Sequence, residues 1–191
     1  MISELLKKAR TYRRFDRSKL ITDADLSGIL ESVRYTASAG NLQRIRYIIV
    51  SSVKAPECFS HIALGGYLPL DKKPDISVAP TAYIVMLAAM DEHDVNLAID
   101  IGIAAEAIVL SAAERGIGAC MIRNFDKEYF GSLSSDKKLI PALVIALGYP
   151  SENVKIQDVS FGNSLKYYKD EFDINIVPKI VLDDLIVEKY K

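Results

Sequence analysis

The sequence predicts an α+β sandwich. Three observations carry this: helical periodicity comes first along the chain, four or five short β-rich runs follow with helices between them, and no internal repeat or linker-like shift divides the 191 residues. Half of the residues are hydrophobic, so one core serves a chain of this length without disulfides or a structural metal.

The elements follow in order. Residues 3–9 read as a short helix, ending in a basic segment, Arg10-Thr11-Tyr12-Arg13-Arg14-Phe15-Asp16-Arg17. Thr22 and Asp25 have the spacing of a capping box, and Leu26, Ile29, Leu30 and Val33 recur at helical spacing, which predicts a helix ending near Tyr35. Ala37 to Asn41 is small and polar, as a tight loop requires, and leads into Tyr47 to Val50, a β-branched run that reads as a buried strand. A helix over Glu57 to Leu64 and then a loop are expected before the second strand, Ala82 to Leu87. Asn96 to Arg115 is apolar on nearly every face, the mark of a long buried helix, and Gly116 stops it. Strands at Ala119 to Ile122 and Ala142 to Leu147 enclose a helix near Asp126 to Leu133. Residues 150–178 read as an irregular extension suited to reach a partner subunit, and a helical segment is expected from about Lys179 to Glu188.

Composition narrows the function. Lys and Arg total 24 against 25 Asp and Glu, a net charge of -1, which recommends neither nucleic acid nor anionic lipid as the main partner. Cys58 and Cys120 lie too far apart in sequence for a CxxC site, and a reducing cytoplasm is the simplest home. The N-terminus has an early acid and no uninterrupted apolar core of a signal peptide. The longest stretch free of formal charge, 76–90, is 15 residues long and broken by Pro80, against the roughly 20 needed to span a bilayer.

Three segments carry chemistry. In residues 10–17, guanidinium forks and the Thr11 hydroxyl suit phosphate oxygens, although the same composition also suits a solvated basic turn. Ser38-Ala39-Gly40-Asn41-Leu42-Gln43 offers donors, acceptors and close backbone approach to a planar heterocycle; taken alone it reads first as a plain helix-to-strand connection. Gly116-Ile117-Gly118-Ala119-Cys120-Met121 imitates a dinucleotide fingerprint, but it lacks the third glycine and follows a helix instead of a strand. It fits a helix cap and strand entry whose N–H groups could also touch a flat ring.

His61 and His93 are too isolated to suggest a metal, and Asp91-Glu92-His93-Asp94 fits a solvated turn capping the next helix. Cys120 reads as a buried strand cysteine with no base nearby in sequence. No GxSxG, Walker loop or HExxH occurs.

Taken together and in order, the segments resemble the FMN-dependent nitroreductase family. Arg10-Thr11-Tyr12-Arg13-Arg14-Phe15 is similar to its Arg-Ser-x-Arg-x-Phe phosphate motif, and Ala37 to Gln43 to its Pro-Ser-x-x-Asn-x-Gln loop. Residues 114–122 resemble its Gly-Leu-Gly segment, and Ala146-Leu147-Gly148-Tyr149-Pro150 the strand ending in the same five residues. The resemblance implies a three-layer sandwich with a central, mostly antiparallel sheet of four to five strands, residues 1–191 forming one FMN-binding domain. It implies a homodimer with FMN at the interface, each site built from both chains. Arg10, Thr11 and Arg13 would hold the phosphate, with Lys179 as a further contact; Ser38, Ala39, Asn41 and Gln43 would line the ribityl chain and pyrimidine; Gly118, Cys120 and Met121 would border the isoalloxazine.

Two departures stand out: Ala37 replaces the loop proline, and Arg44-Ile45 stands where Pro-Trp is common. The activity implied is ping-pong transfer of hydride from NADH or NADPH through flavin N5 to nitroaromatics, quinones or related small acceptors, with no catalytic side chain required. A reductase or dehydrogenase of one specific metabolite, or a flavin-binding protein without turnover, are the competing expectations.

Overall fold

The computed structural model describes residues 1–65, 68, 73–89 and 94–190, which form two compact units, 1–151 and 152–191.

In the first unit, α1 (Ile2–Lys8) and α2 (Asp23–Val33) precede β1 (Arg46–Val50) and the single turn α3 (Ala55–Cys58). Then come β2 (Ala82–Ala88), α4 (Val95–Glu114), β3 (Gly118–Ile122), α5 (Lys127–Ser132) and β4 (Ile140–Gly148). The four strands make one antiparallel sheet in the order β1-β2-β4-β3. Along β2, Ala82, Ile84 and Met86 face a core built with α2 and α4, through Leu26, Ile29, Val33, Ala105 and Ile108. Tyr83, Val85 and Leu87 face a second core with Ala55, Cys58 and Phe130 from α3 and α5. Burial on both faces explains why Ala82–Ala88 is uniformly apolar rather than alternating, and it makes the unit three layers thick.

Local chemistry sets the boundaries. The Thr22 hydroxyl accepts from the Asp25 N–H at 3.1 Å while the Asp25 carboxylate accepts from the Thr22 N–H at 3.3 Å, a complete capping box. At the end of α4, Gly116 N–H reaches Ala113 O at 3.1 Å and Ile117 N–H reaches Ala112 O at 2.9 Å. That Schellman pair needs the left-handed φ of 72° at Gly116, which glycine adopts without steric cost. Pro141 lies inside β4 where the register with β2 shifts between Met86 and Leu87, so a bulge accommodates a residue without an N–H.

Three expectations need correction. The helix over Glu57 to Leu64 is shorter: α3 ends at Cys58, a 3₁₀ turn covers Phe59–His61, and Ile62 is extended and bridges Phe125. Residues 150–178 are not irregular, and no helix begins at Lys179. The second unit holds β5 (Val154–Val159), β6 (Tyr168–Lys169) and β7 (Asn175–Ile180) in the order β5-β7-β6, followed by the one-turn helix α6 (Leu182–Leu185). Pro178 disguised β7. Asn175 and Val181 donate their N–H groups to Asn153 and Val159 on the β5 side, so by strand alternation the nitrogen of Pro178 faces the other edge. There β6 pairs only with Asn175 and Ile176, and a missing N–H costs nothing.

Candidate functional site

The basic segment is fixed against β3. Thr11 forms a parallel bridge with Ala119, the Tyr12 N–H donates to Ala119 O at 3.0 Å, and the Phe15 N–H to Val78 O at 3.0 Å. Close approach is possible because two positions lack side chains. A Cβ at Gly118 would lie 2.8 Å from both Pro150 Cγ and Tyr12 Cδ2, and one at Gly148 would lie 2.6 Å from Phe15 Cδ1. Arg10 is half-buried; one end of its guanidinium donates to Leu6 O while Nε is buried with no acceptor among the described residues. A buried cationic donor left unsatisfied is costly, and an anionic oxygen is the partner that would relieve it. Thr11 is exposed and Arg13 half-buried.

The loop after α2 has a strained backbone. Gly40, Asn41 and Gln43 have φ of 56°, 55° and 47°, and the two non-glycine residues each carry about 1–2 kcal/mol of left-handed strain. Its bonds run inward. The Ser38 hydroxyl accepts from the Gln43 N–H at 3.2 Å, Gln43 Nε2 donates to Asn41 Oδ1 at 3.0 Å, and the Ala39 N–H donates to Asp100 Oδ1 on α4 at 2.9 Å. Arg44 pairs with Asp94, the N-cap of α4, and its Nη2 stands 3.9 Å from Asp100 Oδ2. Hydrogen bonding to Arg44, seconded by the Leu97 N–H, holds the Asp94 carboxyl below the usual carboxylate range. The turn expected at residues 91–93 lies outside the described residues; Asp94 itself does cap α4. Ser38, Gln43, Arg44 and Asp100 line a cavity of about 170 Å³.

Cys120 and Met121 face opposite ways. Cys120 is buried in the core shared with Tyr83 and Phe130, so only its backbone is at the strand surface, whereas Met121 is 40% exposed. Lys179 is exposed on β7 of the second unit.

One chain does not gather these groups. β1 and β3 are opposite edges of the sheet, and the pairing aligns Val50, Tyr83, Ala146 and Cys120 across it. The loop enters at Arg46, four residues from that row on one edge, while Gly118 lies two residues beyond it on the other. With strands about 4.8 Å apart and about 3.3 Å per residue, three strand spacings across and six residues along put the two groups about 25 Å apart at diagonal corners. The cavity at the loop accordingly contains none of residues 10–13 or 118–121.

Two contributors escaped the sequence reading: Asp100 and Arg44. Asp100 broke an apolar helical pattern at a position that turns out 3% exposed, which was the available signal. His61, isolated in sequence, stacks on Tyr129 at 3.6 Å and bonds Asp126 at 3.0 Å; among the described residues no His, Cys, Asp and Glu cluster could hold a metal.

The sequence model of the nitroreductase family matches residues 6–149, three quarters of the chain and every motif from Arg10 to Tyr149. The chain belongs to the nitroreductase family. Solved structures of the family share the fold. A nitroreductase family protein from Streptococcus pneumoniae TIGR4 superposes with a TM-score of 0.72 at 20% identity, covering 100% of both chains. An FMN-dependent nitroreductase from Clostridium difficile R20291 is 26% identical, with a TM-score of 0.63 over 86% of this chain and 100% of its own. A nitroreductase with bound FMN from Bacteroides fragilis NCTC 9343 gives 0.64 at 22% identity over 85% and 96%. No curated protein matches.

Proposed function

We propose that this nitroreductase family member is an FMN-dependent oxidoreductase that takes reducing equivalents from NADH or NADPH and passes them, in a ping-pong cycle, to small acceptors such as nitroaromatics and quinones. The family match together with an FMN-bound relative of the same fold carries the reading. When bound, FMN supplies two-electron redox chemistry that no side chain provides.

The residues fit such a group. Arg10, with its unsatisfied buried Nε, Thr11 and Arg13 bind the phosphate. Ser38, Ala39, Asn41 and Gln43 orient the ribityl and pyrimidine portions. Gly118 and Cys120 present backbone, and Met121 an apolar side chain, to the ring system.

The protein acts as a homodimer in which the loop corner of one copy completes the phosphate corner of the other. The diagonal separation within one chain supports this, and so does α4. That helix is long and apolar enough to cross a membrane by length and composition, and only 44% of its most apolar stretch is buried. Val95, Ile99 and Ile103, 69%, 54% and 39% exposed, form an apolar stripe that a second copy covers. In the second unit, exposed Phe161, Phe172 and Val187 suit an extension lying on a partner. Two buried cysteines outside any disulfide accord with a reducing cytoplasm.

The test is spectroscopic. Purified protein should be yellow, and anaerobic mixing with NADH or NADPH should bleach it, with nitroaromatic or quinone then restoring the colour. A colourless protein that ignores added FMN would refute the cofactor; a flavin that neither donor bleaches would refute the activity. Turnover of one metabolite far above every nitroaromatic would replace the acceptor class.

A further inference from the structure

Asp100 is the one carboxylate buried among the described residues, and it sits on the face of α4 otherwise packed by Leu97, Ala104 and Ala105. A charge in such a place is retained only when its partners repay the lost hydration. Those partners are the loop. Residues Ala39–Asn41 form a 3₁₀ turn whose N-cap, Ser38, makes no side-chain cap bond, because its hydroxyl is turned to the Gln43 N–H instead. The first N–H of the turn is taken by Asp100 Oδ1, 61 residues away. The second oxygen, Oδ2, is buried without a hydrogen bond, and Asp100 lines the same cavity as Ser38 and Gln43. Arg44, held on its other side by Asp94, supplies the compensating charge.

We propose that Asp100 is a positioning residue for cofactor binding: it caps the Ala39–Asn41 turn from the central helix and so holds Asn41 and Gln43 in the left-handed geometry that presents them to FMN. The inference rests on the FMN reading above. It also gives the departures of this loop a role: the rigidity that a proline at position 37 would lend is supplied by the Asp94–Arg44–Asp100 clamp anchored in α4.

Three variants of the full chain test it, read by FMN affinity from fluorescence quenching and by apo-protein thermal stability. Asp100→Asn keeps a carbonyl acceptor for the Ala39 N–H. Asp100→Leu removes it. Ala39→Pro removes the donor while keeping the backbone path, since Ser38 is already extended (φ -142°, ψ 151°), as a residue before proline must be, and proline suits the first position of a helical turn. A hydrogen bond to a charged group corresponds to roughly tenfold to hundredfold in affinity. Asp100→Leu and Ala39→Pro should each lose about that much, Asp100→Asn should stay within about threefold of wild type, and the Ala39→Pro apo protein, whose buried Asp100 carboxylate loses its Ala39 hydrogen bond, should remain folded but melt below the wild type. If Asp100→Leu fails to fold, the other two decide. Wild-type affinity in Ala39→Pro, or an Asp100→Asn loss as large as that of Ala39→Pro, overturns the positioning role while leaving the cofactor intact. A wild-type protein that binds no FMN overturns both readings.

Discussion

Replacing Gly118 by Ala tests how the basic segment is held. The new Cβ would sit 2.8 Å from Pro150 Cγ, 2.8 Å from Tyr12 Cδ2 and 3.0 Å from Tyr12 Cγ, all inside the distance at which carbon atoms stop being attractive. Neither neighbour is free to yield. The proline ring is rigid and adjoins the bridge between Phe15 and Pro150, while the Tyr12 N–H is bonded to Ala119 O at 3.0 Å, on the residue next to the substitution. Relief therefore requires residues 10–13 to lift from β3. Overpacking of this kind costs about 1–3 kcal/mol, and for a chain of this size each kcal/mol lowers Tm by about 2–4 °C. A fall of about 2–12 °C is expected from these two ranges, with FMN affinity reduced because Arg10, Thr11 and Arg13 move together. Differential scanning calorimetry and flavin titration measure the two effects. Unchanged Tm and unchanged affinity would show that the segment is loosely held and that Gly118 is not required for close approach.

Arg10→Ala and Arg13→Ala should each weaken FMN binding by roughly tenfold to a hundredfold while leaving the apo fold intact; wild-type flavin retention in both would mean that the segment is only solvated. Ile103→Glu, on the exposed stripe of α4, should give a monomer by analytical ultracentrifugation that also loses FMN, and a dimer unaffected by this charge would place the interface elsewhere. Asp94 has a folded pKa below its unfolded value of about 3.9, so its contribution to stability is complete above that value and is lost as pH falls through the lower, folded one. Melting profiles should therefore show Arg44→Ala converging on the wild type below about pH 4 and falling short of it at neutral pH; a constant gap would remove Asp94 from the account.

What the sequence made legible was whatever depends on near neighbours. The Thr22–Asp25 box, the apolar run of β2 and the glycine after α4 each declare themselves within a few residues, and the structure has all three. Motif order was equally visible, and with it the family. The second sheet was hidden because β5 has no fully buried residue, β6 is only two residues long, and Pro178 in β7 argues against a strand until the pairing shows which edge it faces. Asp100 was hidden for a different reason. An acid within an apolar helix signals an unknown partner, and that partner is a backbone N–H 61 residues earlier, which side-chain pattern cannot disclose.

The diagonal placement of the two groups across the sheet has a genetic consequence. If a site is shared between copies, damage at Arg10 and damage at Asn41 fall in different halves of it. Two variants, each unable to hold cofactor, would then form mixed assemblies with one wholly intact site and one doubly damaged. Co-expression should rescue what neither allele achieves alone.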